Sequence, residues 1–142
     1  MCGIAGGLGR DVQHSWVVNQ KNELSHRGPD FQKSKKYSKD LHLANTRLAM
    51  TDPLPRSNQP FESEKSTIVF NGEIYNHKAI RQNLMRGGVE FQTNSDTEVV
   101  QKSLELMGVQ AINEFNGMWA IAFWDPNKRQ LTLSRDRFGK KP

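Results

Sequence analysis

The stretch 118-MWAIAFWDPNKRQLTLSRD-136 decides the fold. Met118 to Trp124 is apolar at every position, so both faces are read as covered and the segment as a central strand. Asp125 to Arg129 has turn composition, and Gln130 to Asp136 alternates Leu131 and Leu133 with polar residues, which predicts the next strand. Strands joined by so short a turn run antiparallel.

Moving outward, 95-SDTEVVQKSLELMG-108 opens with Ser95 and Glu98 in capping-box spacing, carries Val100, Leu104 and Met107 as an apolar stripe, and stops at Gly108. A second helix is predicted over His77–Arg86, capped by Asn76, with Ile80 and Leu84 on one face and Gly87-Gly88 as its stop. Before it, 66-STIVFNGEIYN-76 holds a β-branched and aromatic run, read as ending at Asn71-Gly72. The segment 41-LHLANTRLAMTD-52 alternates as a strand, and 17-VVNQKNELSHRG-28 reads as a helix ended by Gly28. Gly3 to Gly9 reads as a buried strand with close backbone approach or as a glycine-rich loop; it lacks the spacing of a phosphate loop. Helices with buried antiparallel strands predict a layered α+β domain.

Composition sets the class. A chain of 142 residues, 35% apolar and 25% charged, can bury one real core and is not disordered. Its single cysteine excludes an intrachain disulfide framework and a cysteine-cluster zinc site, and points to a reducing compartment, hence cytoplasm. No apolar run approaches the roughly 20 residues of a membrane span, and the N-terminus has no signal-peptide pattern. The net charge is +5, concentrated in 33-KSKKYSK-39 and 135-RDRFGKKP-142. No aromatic stripe accompanies these runs, so they are read as a solvated loop and tail, with neither nucleic acid nor membrane as partner.

The chemistry starts at Cys2, which is set beside the initiator methionine. Removal of Met1 would give Cys2 a thiol and a free α-amine, whose ordinary pKa is about 7.7–8.0. A nucleophile and its base would then share one residue. If Met1 stays, that base is an amide and the thiol is expected to be inactive. Arg47 lies in a mostly apolar strand and needs an anionic partner, from the protein or from a ligand carboxylate. Asn71 and Gly72 supply a side-chain and a backbone N–H suited to one oxyanion, or simply form a turn. Glu73 would lie close enough to meet a cationic group. Asp96 at a helix start is a dipole partner or an acceptor for a substrate ammonium. His26 to Asp30, HRGPD, holds two opposite charges around a fixed turn. Singly, each has an ordinary structural explanation. Together they describe a site for an amino acid with a reactive side-chain carbonyl, for which glutamine is the natural candidate.

MCGIAG, HRGPD, RLAMTD, NQPF, NGEIYNH, SDTEV, NGMWAIAFWD and RDRFGKKP, in this order and across essentially the whole chain, resemble the class II glutamine amidotransferases, and most of all the glutaminase domains of glutamine-hydrolysing asparagine synthetases. Met50 and Asn94 depart from that family's usual text. The resemblance implies a four-layer αββα N-terminal-nucleophile sandwich with antiparallel sheets, covering 1–142 and truncated at its C-terminal end. By resemblance Cys2 attacks glutamine, Asn71 and Gly72 hold the oxyanion, and Arg47 binds the α-carboxylate. Asp96 with Glu73 binds the α-ammonium, groups near Leu48 and Met50 complete the pocket, and Arg27 supports a loop. It also implies a thioester route that releases ammonia for asparagine biosynthesis, no cofactor or metal in this domain, and ATP and Mg²⁺ in a synthetase domain that this chain lacks. The expected partners are glutamine and that synthetase domain, in a full-length enzyme that is a homodimer. The competing expectations are an ammonia donor for a sugar or cell-surface precursor, and an inactive fragment with an exposed strand edge and a tendency to aggregate.

Overall fold

The computed structural model describes residues 2–142; Met1, and with it the expected loss of the initiator methionine, lies outside the described residues. Seven strands and three helices follow in the order β1 (Gly3–Leu8), α1 (His14–Glu23), β2 (Phe31–Lys36), β3 (Leu41–Arg47), β4 (Phe61–Glu62), β5 (Thr67–Ile74), α2 (His77–Arg86), α3 (Asp96–Met107), β6 (Gly117–Asp125) and β7 (Gln130–Arg135). A three-stranded sheet has the order β1-β3-β2 and a four-stranded sheet the order β4-β5-β6-β7. All pairings between strands are antiparallel, including β6 with β7 around the Asp125–Arg129 turn. The layers are α1, first sheet, second sheet, then α2 with α3, which is the expected αββα order.

Two cores hold these layers. Between the second sheet and its helices, Ile68, Phe70, Trp119, Ile121 and Phe123 meet Val99, Val100, Leu104 and Phe115. Trp119 is 1% exposed and stands edge-on to Phe115 at 5.9 Å, with its indole N–H on Ser134 Oγ at 2.9 Å. Between the sheets, Leu41, Leu43, Val69, Ala122 and Trp124 pack with Ile4, Tyr37 and Leu131. Strand alternation assigns Val69 to one core and Ile68 and Phe70 to the other. The inter-sheet core opens on one side into an apolar groove of about 290 Å³ lined by Leu8, Leu41, Leu43, Leu131 and Leu133 among others. Leu8 is 59% and Leu133 71% exposed there.

Several expectations are corrected. Asn71-Gly72 does not end β5, which runs through to Ile74 with Gly72 opposite Trp119. A Cβ on Gly72 would lie 2.1 Å from Met118 O, so this glycine serves close strand approach. The lysine run at 33–36 is strand β2 at a sheet edge rather than a loop; Lys33 and Lys35 pair with Glu62. Tyr37 donates to the same Glu62, and burial, then this bond, raises its pKa. The first helix begins at His14 and ends at Glu23, and a 3-10 turn over Ser25–Arg27 carries the chain to Gly28. Asn76 stands at the N-cap position of α2 as expected, but its side chain makes no cap hydrogen bond; its amide is spent on Glu114 O and Asn116 N. Met107 is 42% exposed and stands outside the α3 stripe. The basic tail is folded: Asp136 accepts the backbone N–H groups of Trp119, Phe138, Lys140 and Lys141. Burial pushes its pKa up, but these bonds outweigh that and leave it at about 2.

Candidate active site

β1, β3, β5 and β6 each send alternate side chains into the space between the sheets. At one end these are Ile4, Leu43, Val69 and Ala122. Further along the same strand faces the sequence turns polar, and a pocket of about 120 Å³ forms. Eight of the residues singled out in the sequence line it: Cys2, Arg47, Leu48, Met50, Asn71, Gly72, Glu73 and Asp96; the HRGPD turn, His26 to Asp30, does not.

The backbone around Cys2 is gripped from three sides. Arg27 Nε donates to Cys2 O at 3.3 Å, Asn45 Nδ2 donates to Gly3 O at 3.2 Å, and Gly3 N donates to Thr46 Oγ1 at 3.1 Å. Thr46 in turn donates to Leu24 O at 3.0 Å, tying β1 to the end of α1. The half-buried thiol points at Leu48 O, 3.8 Å away. Gly28 makes this loop possible, since a Cβ there would lie 2.2 Å from the Thr46 carbonyl carbon.

β5 brings the donors. Its N–H groups alternate in direction, and those of Phe70 and Ile74 point away from β6 to Gln59 Oε1 (2.6 Å) and Asp96 Oδ2 (3.1 Å). Gly72, midway between them, has the same parity, and among the described residues no acceptor takes its N–H. The Asn71 side chain is 3% exposed and likewise makes no hydrogen bond among the described residues. Asn71 Nδ2 and the Gly72 N–H therefore stand as two unspent donors on the wall of one pocket, free for an acceptor placed in it.

The charges show the same incompleteness. Arg47 is 4% exposed, and its four terminal N–H bonds go to Thr51 O, Asp52 O, Leu54 O and Asn58 Oδ1, at 2.5 to 3.4 Å. All four are neutral acceptors, and no salt bridge among the described residues includes Arg47. Asp96 is 5% exposed, has no salt-bridge partner among them either, and burial raises its pKa against the opposing Ile74 N–H and His77. A buried guanidinium and a buried carboxyl group thus line one pocket, each without a salt-bridge partner among the described residues. Glu73 is exposed, at the pocket's rim.

The site also uses residues that the sequence reading left without a role. Gln59 bridges Phe70 N, Asn45 and Thr97. Asn58 takes an Arg47 N–H at 2.7 Å. Lys141 is 3% exposed and lines the pocket from the folded tail. The NQPF motif contained the signal for Asn58 and Gln59; nothing local marked Lys141. The Ser95–Glu98 box is half formed: Ser95 Oγ accepts Glu98 N, while the Glu98 carboxylate turns to Gln92 N, Thr93 N and Thr93 Oγ1. Asn94 is exposed and contributes its backbone N–H, so its departure from the family text leaves the loop intact. Met50 is 74% exposed, which tolerates the other departure.

With this geometry stands a match over residues 1–142 to the glutamine amidotransferase domain family, and the chain belongs to that family. Within it, the chain is similar over its whole length to asparagine synthetases: 37% identical to asparagine synthetase [glutamine-hydrolyzing] 3 of Arabidopsis thaliana and 37% identical to asparagine synthetase [glutamine-hydrolyzing] 2 of Bacillus subtilis. It spans 25% and 20% of those proteins' lengths. The fold is that of the glutamine phosphoribosylpyrophosphate amidotransferase of B. subtilis, with a TM-score of 0.79 and 18% identity over 98% of this chain and 38% of that one. No helix among the described residues is long and apolar enough to cross a membrane.

Proposed function

We propose that this pocket hydrolyses glutamine by way of Cys2. The carrying observation is that Arg47 and Asp96, neither with a salt-bridge partner among the described residues, line a pocket that also holds a thiol and two unspent N–H donors. An α-amino acid supplies the missing carboxylate and ammonium, and charge-assisted hydrogen bonds then repay the burial of both ions. Arg47 meets the carboxylate through Nε–H or by exchanging one of the carbonyls it now holds. Asp96, with Glu73 at the rim, meets the ammonium. Leu48 and Met50 close the wall beside the side chain.

In the reaction, Cys2 Sγ attacks the carbonyl carbon of the side-chain amide, and the C=O electron pair moves to oxygen. That oxyanion takes hydrogen bonds from the Asn71 amide and the Gly72 N–H, donors already fixed by β5. The α-amine of Cys2, free once Met1 is removed, accepts the thiol proton and delivers it to the departing nitrogen. Ammonia leaves a thioester, and water releases glutamate and regenerates the thiol.

The similarity to asparagine synthetases supports an acceptor reaction that makes asparagine on a second, synthetase domain. ATP and Mg²⁺ belong, in this reading, to that domain, since the thioester route above draws only on Cys2, its α-amine, the β5 donors and water.

The test is ammonia release from glutamine by the purified chain against Cys2→Ala. Release by the wild type that falls by at least about 10³-fold in the variant supports the reading. A wild type whose N-terminal residue is Cys2 and which releases no ammonia refutes it.

A further inference from the structure

We propose that Asp52 is a positioning residue that fixes the distance between the cationic and anionic ends of the pocket, and so its fit to an α-amino acid; this rests on the glutamine reading above. Its carbonyl oxygen takes an Arg47 N–H at 2.5 Å. Its carboxylate takes Asn94 N–H at 2.7 Å, two residues before Asp96. One residue therefore touches Arg47 directly and reaches the turn that begins α3, where Asp96 sits. A second link, Gln59 Nε2 to Thr97 Oγ1, is longer at 3.3 Å.

The local chemistry suits a strut. The Asp52 side chain is 2% exposed, and its charge is met from the solvent side by Arg56, with Nε and Nη2 each at 3.1 Å. Burial favours the neutral acid, but the Asn94 N–H and Arg56 outweigh it and lower the pKa, so the strut is ionised at neutral pH. The backbone has φ 49, a left-handed conformation that Asp, Asn and Gly adopt far more readily than other residues. That limits the useful variants: Asp52→Ala would add backbone strain of its own. Asp52→Gly keeps the backbone and deletes the acceptor. Asp52→Asn keeps the backbone and an oxygen for Asn94.

The experiment measures KM and kcat for glutamine, together with the rate at which iodoacetamide alkylates Cys2. Iodoacetamide has no α-carboxylate or ammonium and reports only an intact nucleophile. Asp52→Gly is expected to raise KM at least about tenfold with kcat within about threefold and an unchanged alkylation rate, because it loosens binding rather than the thiol. Asp52→Asn is expected to stay within about threefold of wild type in all three. The assignment is overturned if Asp52→Gly keeps KM within about twofold, if its alkylation rate falls along with its affinity, or if Asp52→Asn is as impaired as Asp52→Gly. A wild type that alkylates but releases no ammonia overturns the glutamine reading, and this role with it. An active wild type with an unaffected Asp52→Gly overturns the role alone.

Discussion

The two ends of the inter-sheet space are built from the same strands and differ in what those strands leave unpaired. At the apolar end, Leu41, Leu43, Val69 and Ala122 are closely packed and neutral. At the polar end, a few residues along, Arg47 and Asn71 on the same strand faces are nearly as buried, yet Arg47 has no counter-ion and Asn71 no hydrogen bond among the described residues. One end contributes stability through burial. The other carries an electrostatic deficit that only a ligand removes. Substitutions at the two ends should therefore separate cleanly into effects on folding and effects on chemistry.

The sharpest test pairs Leu43→Ala with Asn71→Ala. Leu43 is 2% exposed, and its truncation should cost about 2–5 kcal/mol of stability with KM unchanged in whatever fraction stays folded. Asn71→Ala should lower kcat by about 10²–10³-fold, the loss of one oxyanion donor, with little change in melting temperature. Denaturant melts and steady-state kinetics on both variants decide it. An Asn71→Ala protein that unfolds early while keeping its kcat would erase the distinction.

Asp96→Asn sharpens the comparison by giving stability and function opposite signs. Burial first, against the Ile74 N–H and His77, raises this carboxyl's pKa in the folded chain. The native state then binds more protons than the unfolded one, so stability falls as pH rises from the ordinary carboxylate range, about pH 4, through the raised value. The neutral variant avoids that loss. It should melt higher than wild type at pH 7, with the gap closing toward about pH 4, while glutamine affinity falls at least about tenfold for want of an ammonium partner. Scanning calorimetry across this range, with kinetics at pH 7, is the measurement. A variant that melts lower at pH 7 would show that Asp96 already has its partner within the chain.

Legibility followed the same division. β6, β7, α2 and α3 were readable because apolar periodicity and turn residues are local. Cys2, Arg47, Asn71, Gly72, Glu73 and Asp96 stood out one by one by their chemistry, Leu48 and Met50 only by resemblance, and one pocket is lined by all eight. What sequence could not convey was cross-strand context. Asn71-Gly72 carries a turn signature, but the Met118 carbonyl that leaves no room for a Cβ on Gly72 is a fact about β6. The lysines of β2 look like a solvated loop until Glu62, from another sheet, comes within 4 Å. Asn76 was a reasonable cap until Glu114 and Asn116 claimed its amide. Lys141 reaches the pocket because Asp136, with four backbone donors, folds a tail that reads as solvated.

That tail gives the next test. A folded pKa of about 2 lies below the ordinary carboxylate value, so Asp136 contributes stability above the ordinary range, and that contribution is lost as pH falls through about 2. Asp136→Asn should therefore melt lower than wild type at pH 7, with the difference shrinking below pH 4 and vanishing near pH 2 (approximate bounds set by the two pKa values). An undiminished difference at the acid limit would mean that the loss is one of geometry rather than charge.

The smallest effect belongs to the open side of the apolar end. Leu8 and Leu133 stand largely exposed on either side of the groove, where their burial adds little to folding. Replacing both with threonine keeps β-propensity and should change stability by no more than about 0.5 kcal/mol per site. It should leave ammonia release untouched, since neither residue lines the pocket. The change should appear in association, because an exposed apolar groove beside a strand edge favours contacts between copies. Sedimentation velocity over a concentration series should show wild type growing heavier while the double variant stays at 16.2 kDa. Identical profiles for both proteins would mean that the groove is too small to drive contact. The apolar end would then differ from the polar end in packing alone, and not in what it offers to another molecule.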